Sequence, residues 1–327
     1  GFTEIGDEGK NLQDDIVAIS AKHGIRIIGP NCTGIVSKNI VTTFFPIKEV
    51  PDGNVTMIGQ SGLLAAGMAS EIVVNNLLAI RKVCSIGNKC DVNENDLLEY
   101  FGEDEKTHVI AMYLESFANG NEFVKKARKI TAKKPVIMLC GGRTEAGARA
   151  ALSHTGSIAS NAQIIDTAIK QSGCIKATDF VELRELSKLF STQPIPKGNN
   201  VAIITAAGSV GVVIADICEE YGLNLPEKLG EDAIQELKKI YPDGMPPKNP
   251  IDMWFAIEKL GLASALDKAM NSSLADPSID AVIVVLAGFK YTLEVIEQKI
   301  VQAISGKYDK PVIVCVLVGY NEYKHML

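Results

Sequence analysis

The sequence has little of what marks proteins that bind nucleic acid or insert into membranes. Its 327 residues carry 33 Lys and Arg against 39 Asp and Glu, a net charge of −6, and no segment is dominated by basic residues. This balance argues against nucleic acid or an anionic membrane surface as the main partner. The longest apolar runs, near residues 281–288 and 312–319, are far too short to span a bilayer.

The cysteine pattern lacks a metal or redox motif. The seven cysteines are scattered along the chain, and no C-x-x-C pair occurs among them. That pattern gives no support to a zinc ribbon or a thioredoxin-type site. An odd number of scattered thiols favours reduced cysteines in a reducing compartment, so we expect a cytoplasmic protein without a metal site of its own.

The order of apolar runs and turn signals divides the chain into three sections, 1–48, 49–195 and 196–327. The first section predicts a helix at Asn11–His23, which Gly24 ends, and a short strand at Ile25–Ile28. One helix and one strand cannot enclose a core. We therefore expect this section to be the C-terminal part of a larger α/β domain, and the chain, which begins at Gly1, to be a fragment.

The second and third sections each predict strands that alternate with helices. Each opens with a strand, Val55–Ile58 or Val201–Thr205, followed by a glycine turn and an apolar helix. Such alternation predicts an α/β fold with a parallel sheet that is covered on both faces. The last section stops soon after the strand predicted at Pro311–Leu317, so we expect its domain to be truncated.

The two glycine turns, Gln60-Ser61-Gly62 and Gly208-Ser209-Val210-Gly211, are candidate phosphate sites. Small residues let the backbone approach a ligand closely, and the first N–H groups of the following helix favour an anion. A single turn of this kind is more often required only for packing a helix against a strand. Two turns at matching places, at the carboxyl ends of their strands, favour a binding role.

His154 is the histidine whose surroundings favour chemistry. It lies in a segment rich in Gly, Ala, Ser and Thr, and its neighbours Ser153, Thr155 and Gly156 leave room for a group on the ring and offer donors to it. A neutral imidazole can attack phosphorus and carry a phosphoryl group, provided that the proton stays on the other ring nitrogen. Glu115, which follows the predicted strand Val109–Leu114, is the candidate carboxylate partner, although it could equally be a solvated side chain at a strand end.

Taken together, these residues resemble the NDP-forming acyl-CoA synthetases, which include the ADP-forming acetyl-CoA synthetases and are related to the α subunit of succinyl-CoA synthetase. The resemblance covers essentially the whole chain, and the run from Gly142 to Ser157 is its most specific part. The other stretches are Gly29-Pro30-Asn31-Cys32-Thr33-Gly34-Ile35, Gly59-Gln60-Ser61-Gly62, Gly87-Asn88-Lys89-Cys90-Asp91, Tyr113-Leu114-Glu115 and Asn249-Pro250-Ile251-Asp252.

The resemblance implies a fold, a reaction and a set of site residues. Residues 1–48 would belong to a Rossmann-like CoA-binding domain, and 49–195 and 196–327 would be two flavodoxin-like ligase domains. His154 would be the phosphorylated histidine, Glu115 its hydrogen-bonding partner, and the turn Asn31-Cys32-Thr33 would border CoA. The reaction uses acyl-CoA, phosphate and ADP or ATP with Mg²⁺, the nucleotide being bound by an ATP-grasp domain or β subunit in an oligomeric assembly.

The sequence departs from the family pattern at the second glycine turn. Ala206 stands where the family commonly has Asn, which removes a polar side chain from that site. Two other functions stay open on sequence alone. One is a non-catalytic acyl-CoA-sensing module of a larger protein such as a lysine acetyltransferase, and the other is a plain nucleotide- or flavin-binding α/β protein.

Overall fold

The chain divides into two compact units, Gly1–Thr192 and Gln193–Leu327, each built on one sheet. The structure, a computed structural model, describes residues 2–47, 50, 52–67, 69, 78–147, 162–288, 294, 298–299 and 308–318. Within these ranges, no helix is both long and apolar enough to cross a membrane.

The sheet of the first unit has the strand order β1-β3-β2-β4-β5-β6, in which only β1 runs antiparallel to its neighbour. Every residue of β2 and β5 is buried, as expected for strands with helices on both faces of a parallel sheet. The strands are β1 (Ile35–Ser37), β2 (Val55–Gly59), β3 (Ile80–Ser85), β4 (Val109–Leu114), β5 (Val136–Cys140) and β6 (Ile175–Lys176).

Helices cover both faces of this sheet. Side chains alternate along a strand, so Ile58 packs on one face and Met57 on the other, each within its own apolar cluster. Phe123 belongs to the first cluster and Leu183 to the second. The helices are α1 (Asp7–His23), α2 (Glu94–Glu103), α3 (Gly120–Thr131), α4 (Ala162–Ser172) and α5 (Phe180–Thr192), with a 3-10 turn at Thr3–Ile5 and a π-helical turn at Leu63–Gly67.

Local sequence explains where two of these helices begin and end. The Asn93 side chain accepts a hydrogen bond from the first turn of α2, and the Asp96 side chain accepts one from the Asn93 backbone, which together form a capping box. Gly24 ends α1 in the left-handed conformation, with φ of 65°, which glycine adopts at little cost.

The second unit has a parallel sheet with the order β10-β9-β7-β8. Ile204 of β7 faces the larger of its two apolar clusters, and Ile203 faces the smaller cluster beneath α6. The strands are β7 (Val201–Thr205), β8 (Ile251–Asp252), β9 (Ala281–Gly288) and β10 (Val312–Val318), and the helices are α6 (Gly208–Glu220), α7 (Glu231–Lys238), α8 (Trp254–Leu260) and α9 (Leu262–Ala275).

The predicted α/β class with parallel sheets is confirmed, but the strand predicted at Ile25–Ile28 is wrong. That segment is irregular, and its partners are the loop after β3 rather than a strand: the Ile27 amide donates to Asp91 at 2.7 Å, and the Val92 amide donates to the Ile27 carbonyl at 3.0 Å. Short apolar runs do not reveal whether a neighbouring strand is available. The helices α7, α8 and α9 and the strand β8 were not predicted.

Candidate active site

Four loops of the first unit meet at the carboxyl edge of its sheet. They follow β2, β3, β4 and β5, and they contain Gln60, Lys89, Glu115 and Arg143, respectively. These strands are parallel to one another, so their carboxyl ends lie along one edge, where open α/β sheets bind ligands. The predicted first phosphate turn and the predicted carboxylate therefore lie on neighbouring strands.

Gln60 joins the loop after β2 to the loop after β4. Its side chain is only 2% exposed, and its Oε1 accepts hydrogen bonds from the Glu115 amide at 2.9 Å and the Ser116 amide at 3.2 Å. The Gln60 backbone amide donates to the Tyr113 carbonyl at 2.9 Å. Gln60 thus fixes the backbone that carries Glu115, a role that its place in a glycine turn did not reveal.

Thr33 contacts the same glycine turn. Its Oγ1 donates to the Gly62 carbonyl at 3.0 Å, and its amide donates to Ser85 Oγ at 3.1 Å. A Cβ on Gly62 would meet Thr33 Cγ2 at 2.4 Å, so the glycine is required for this close approach. The structure therefore brings the turn Asn31-Cys32-Thr33, where Cys32 is half-buried, against the predicted phosphate turn.

Glu115 is buried at the end of β4, with 7% of its surface exposed. The Tyr113 hydroxyl donates to its Oε1 at 3.3 Å. Burial, followed by the charge of Glu115, raises the pKa of Tyr113, so this hydroxyl stays protonated and able to donate. A Cβ on Gly141 would come within 2.6 Å of the Tyr113 hydroxyl, so the glycine leaves room for this pair. A solvated side chain at a strand end is excluded for Glu115.

Lys89 and Glu94 form a buried ion pair beside Glu115. Lys89 Nζ lies 2.8 Å from Glu94 Oε2 and donates to the Ser116 carbonyl at 2.6 Å. The Glu94 side chain is fully buried and that of Lys89 is 8% exposed. The sequence prediction missed both residues. In the sequence, Lys89 is only one residue of a stretch that resembles the family. The pattern that could have indicated its role is a lysine next to a glycine turn at the end of a strand.

Arg143 and Asp166 link the loop after β5 to α4. Arg143 Nη2 donates to both carboxylate oxygens of Asp166, at 3.2 and 3.1 Å, and Lys176 Nζ lies 3.0 Å from the same carboxylate. Residues 144–165 join these two anchors along the chain. The predicted residues Ser153, His154, Thr155 and Gly156 all lie outside the described residues.

The second glycine turn opens α6 in the second unit, at the carboxyl end of β7. A Cβ on Gly208 would lie 3.0 Å from Asp252 Oδ2, and a Cβ on Gly211 would lie 3.2 Å from both Pro250 and Thr205. Gly211 therefore has a packing role, because α6 crosses close to the ends of β7 and β8. The Asp252 carboxylate near Gly208 is a feature that the sequence analysis did not anticipate, and it adds negative charge beside the predicted Gly208-Ser209 phosphate site.

Comparison with known proteins gives the same assignment for the fold. Residues 52–190 match the family described as "Succinyl-CoA ligase like flavodoxin domain". The chain is 38% identical over 336 residues to the α subunit of acetate–CoA ligase (ADP-forming) II from Pyrococcus furiosus, covering 99% of this chain and 70% of that protein. It is 42% identical over 255 residues to acetate–CoA ligase (ADP-forming) from Methanocaldococcus jannaschii, covering 77% of this chain and 35% of that protein.

A solved structure is similar over nearly the whole chain. It is a dinucleotide-forming acetyl-coenzyme A synthetase 1 from Ca. Korarchaeum cryptofilum in complex with phosphate and ADP, with a TM-score of 0.87 and 34% identity. The match covers 99% of this chain and 69% of that one.

These findings define the class to which the protein belongs. Residues 52–190 form a flavodoxin-like domain of the succinyl-CoA ligase type, which confirms the flavodoxin-like prediction for this part of the chain. The sheet of this part carries a buried carboxylate, Glu115, at its carboxyl edge. The chain belongs to the NDP-forming acyl-CoA synthetase family, as an α-type portion related to the ADP-forming acetate–CoA ligases.

Proposed function

We propose that this chain supplies the phosphohistidine part of an enzyme that interconverts acyl-CoA, phosphate and ADP with the free acid, CoA and ATP. The observation that carries the proposal is Glu115, a buried carboxylate held between Tyr113 and the Gln60-bound backbone at the carboxyl edge of the sheet. Burial makes an isolated carboxylate costly, so a side chain kept there is a candidate for chemistry.

The reaction divides into three transfers. Phosphate attacks the acyl carbonyl of acyl-CoA, and CoA leaves as the thiol, which yields acyl phosphate. A ring nitrogen of His154 then attacks the phosphorus, and the carboxylate of the acid leaves. ADP finally takes the phosphoryl group from His154, which forms ATP and frees the ring.

We assign the residues of this chain to positioning and charge stabilisation. Glu115 holds the proton on the second ring nitrogen of His154, so that the first stays free to attack. The turns Gln60-Ser61-Gly62 and Gly208-Ser209-Val210-Gly211, with Ser153, Thr155 and Gly156, bind phosphate oxygens. Asn31, Cys32 and Thr33 border CoA, a placement supported by the contact between Thr33 and Gly62.

The nucleotide requires a partner. We propose an ATP-grasp domain, on a β subunit or on the same polypeptide, because the related proteins extend beyond the length that this chain matches. We also assign Mg²⁺ to that partner, together with the nucleotide. The seven free thiols support a reducing, cytoplasmic location for the assembly.

We propose three parts for the chain, with the bounds expected from its sequence. Residues 1–48 would be part of the CoA-binding domain, 49–195 the ligase domain that carries the histidine segment, and 196–327 the second ligase domain. The alternative of a non-catalytic acyl-CoA sensor is not favoured, since the related proteins are ligases and the carboxylate site is retained.

Phosphohistidine labelling tests the proposal. The enzyme, with its ATP-grasp part present, is incubated with acetyl-CoA, Mg-ADP and labelled phosphate, and the chain is examined for acid-labile, base-stable label. His154→Ala should abolish the label. His108→Ala is the matched control, because His108 lies before β4, at the opposite edge of the sheet, and should keep the label. Label that survives in His154→Ala would rule out the assigned histidine.

Glu115→Gln tests the carboxylate separately. The amide keeps the size of the side chain and can still accept from Tyr113, so the fold should be retained while labelling slows. A Glu115→Gln enzyme that is labelled at the wild-type rate would show that the carboxylate has no part in the transfer.

A further inference from the structure

The buried pair Lys89–Glu94 calls for an explanation beyond stability. Lys89 lies in the turn after β3 and has a left-handed backbone conformation, with φ of 44°. Its side chain pairs with the carboxylate of Glu94, the first residue of α2. Removing two charges from water costs several kcal/mol per ion, and an apolar or neutral pair of similar size is often as stable. A fold alone would therefore not require these two charges.

Lys89 and Glu94 both form hydrogen bonds with the backbone of the loop that carries Glu115. Lys89 Nζ donates to the Ser116 carbonyl, and Glu94 Oε1 accepts from the Ala118 amide. Gln60 accepts from the Glu115 and Ser116 amides. The backbone of residues 115–118 is thus held on both its donor and its acceptor sides by three buried side chains.

Lys89 also places a positive charge near the Glu115 carboxylate. Desolvation, the largest influence, lowers the pKa of Lys89, while the charges of Glu94 and Glu115 act in the opposite direction. The two groups therefore interact across the site. Tyr113 on β4 donates to Glu115, and Lys89 after β3 interacts with it electrostatically. Around these groups, Glu94 on α2 pairs with Lys89, Cys140 at the end of β5 acts on Lys89 and Tyr113, and Arg143 acts on Cys140. Arg143 is itself paired with Asp166.

We propose that Lys89 is a positioning residue for phosphoryl transfer, acting through Glu115, an inference that rests on the proposed function. Its ammonium fixes the loop 115–118 through the Ser116 carbonyl and places a positive charge beside the Glu115 carboxylate, which is to hold the imidazole proton. Glu94 keeps Lys89 in place and offsets part of its positive charge. The Glu115 carboxylate therefore remains available to the protonated ring nitrogen of His154.

The test is the pH profile of single-turnover phosphorylation, measured on the enzyme with its ATP-grasp part present. The double variant Lys89→Met with Glu94→Gln is neutral, close in size and leaves no buried charge unpaired. The acid limb of its profile should move to higher pH, because the variant removes the positive charge from beside the carboxylate that is to hold the imidazole proton.

Lys89→Gln with Glu94→Gln is the second variant, and it also leaves no buried charge unpaired. It keeps a donor at position 89 and an acceptor for the Ala118 amide at position 94, and its acid limb should also move to higher pH. This variant serves if the first double variant does not fold. Lys126→Met is the matched control, since Lys126 pairs with Glu99 and Glu122 at the surface of α3, and its acid limb should coincide with that of the wild type.

The outcomes separate the two proposals. Variants that are labelled more slowly, with acid limbs unmoved, would show that Lys89 has only a structural role and would overturn the inference while leaving the proposed function intact. A wild-type enzyme that takes no label would overturn the proposed function and the role of Lys89 with it. Acid limbs that move to higher pH in both variants, with that of Lys126→Met unmoved, would support the inference.

Discussion

Replacing Gln60 with methionine tests how the carboxylate loop is held. Methionine has a similar length but no acceptor, so the buried amides of Glu115 and Ser116 would lose the oxygen that both use. A buried donor without a partner costs roughly 1–3 kcal/mol. Two such donors, one of them partly buried, give an expected local cost of about 2–4 kcal/mol in Gln60→Met.

The exchange rates of the two amide hydrogens measure this local cost directly. Since about 1.4 kcal/mol corresponds to a tenfold change, exchange at Glu115 and Ser116 should accelerate by roughly 30- to 700-fold, whereas the core of β5 should change little. Gln171→Met is the surface control, because Gln171 is exposed at the end of α4. If both amides exchanged in Gln60→Met as slowly as in the wild type, the bridging role of Gln60 would be refuted.

Two further predictions concern stability of the first unit. Burial, the largest single influence, raises the pKa of Asp104, but hydrogen bonds from Arg81, Lys82 and Thr107 outweigh it and leave that pKa well below its usual value. The stabilisation is therefore present above about pH 4. It is lost, by on the order of 2 kcal/mol, as the pH falls below the pKa that Asp104 has in the unfolded chain. Urea midpoints measured from pH 7 to pH 2.5 should show this loss in the wild type and in the surface control Asp52→Asn, but much less of it in Asp104→Asn. Gly62→Ala should lower the free energy of unfolding in urea by about 1–3 kcal/mol, because the added methyl group forces Thr33 aside. Adding Thr33→Ser to Gly62→Ala removes Cγ2 but keeps Oγ1, so the combined variant should recover part of that cost. No recovery would place the strain elsewhere.

Residue pattern alone located the elements that depend on local chemistry. The run Val109–Leu114 and the run Val201–Thr205 became strands with the predicted bounds, because each is apolar on both faces and is bounded by turn residues. The position of Glu115 at a sheet edge followed directly from the first of these. The family also followed from sequence, since the stretches that carry the resemblance lie within the region that the comparisons match.

Tertiary structure decided which side chains hold that edge together. Gln60 and Glu115 are 55 residues apart, and Lys89 and Ser116 are 27 apart, so no spacing rule links them. Ile25–Ile28 has the composition of a strand but lies beside a loop, and its Ile27 amide donates to the Asp91 side chain instead of to a neighbouring strand. Sequence determines local preference and the residue types available for chemistry, whereas the burial of a charge or an amide depends on contacts between distant segments, which exist only once the sheet has formed.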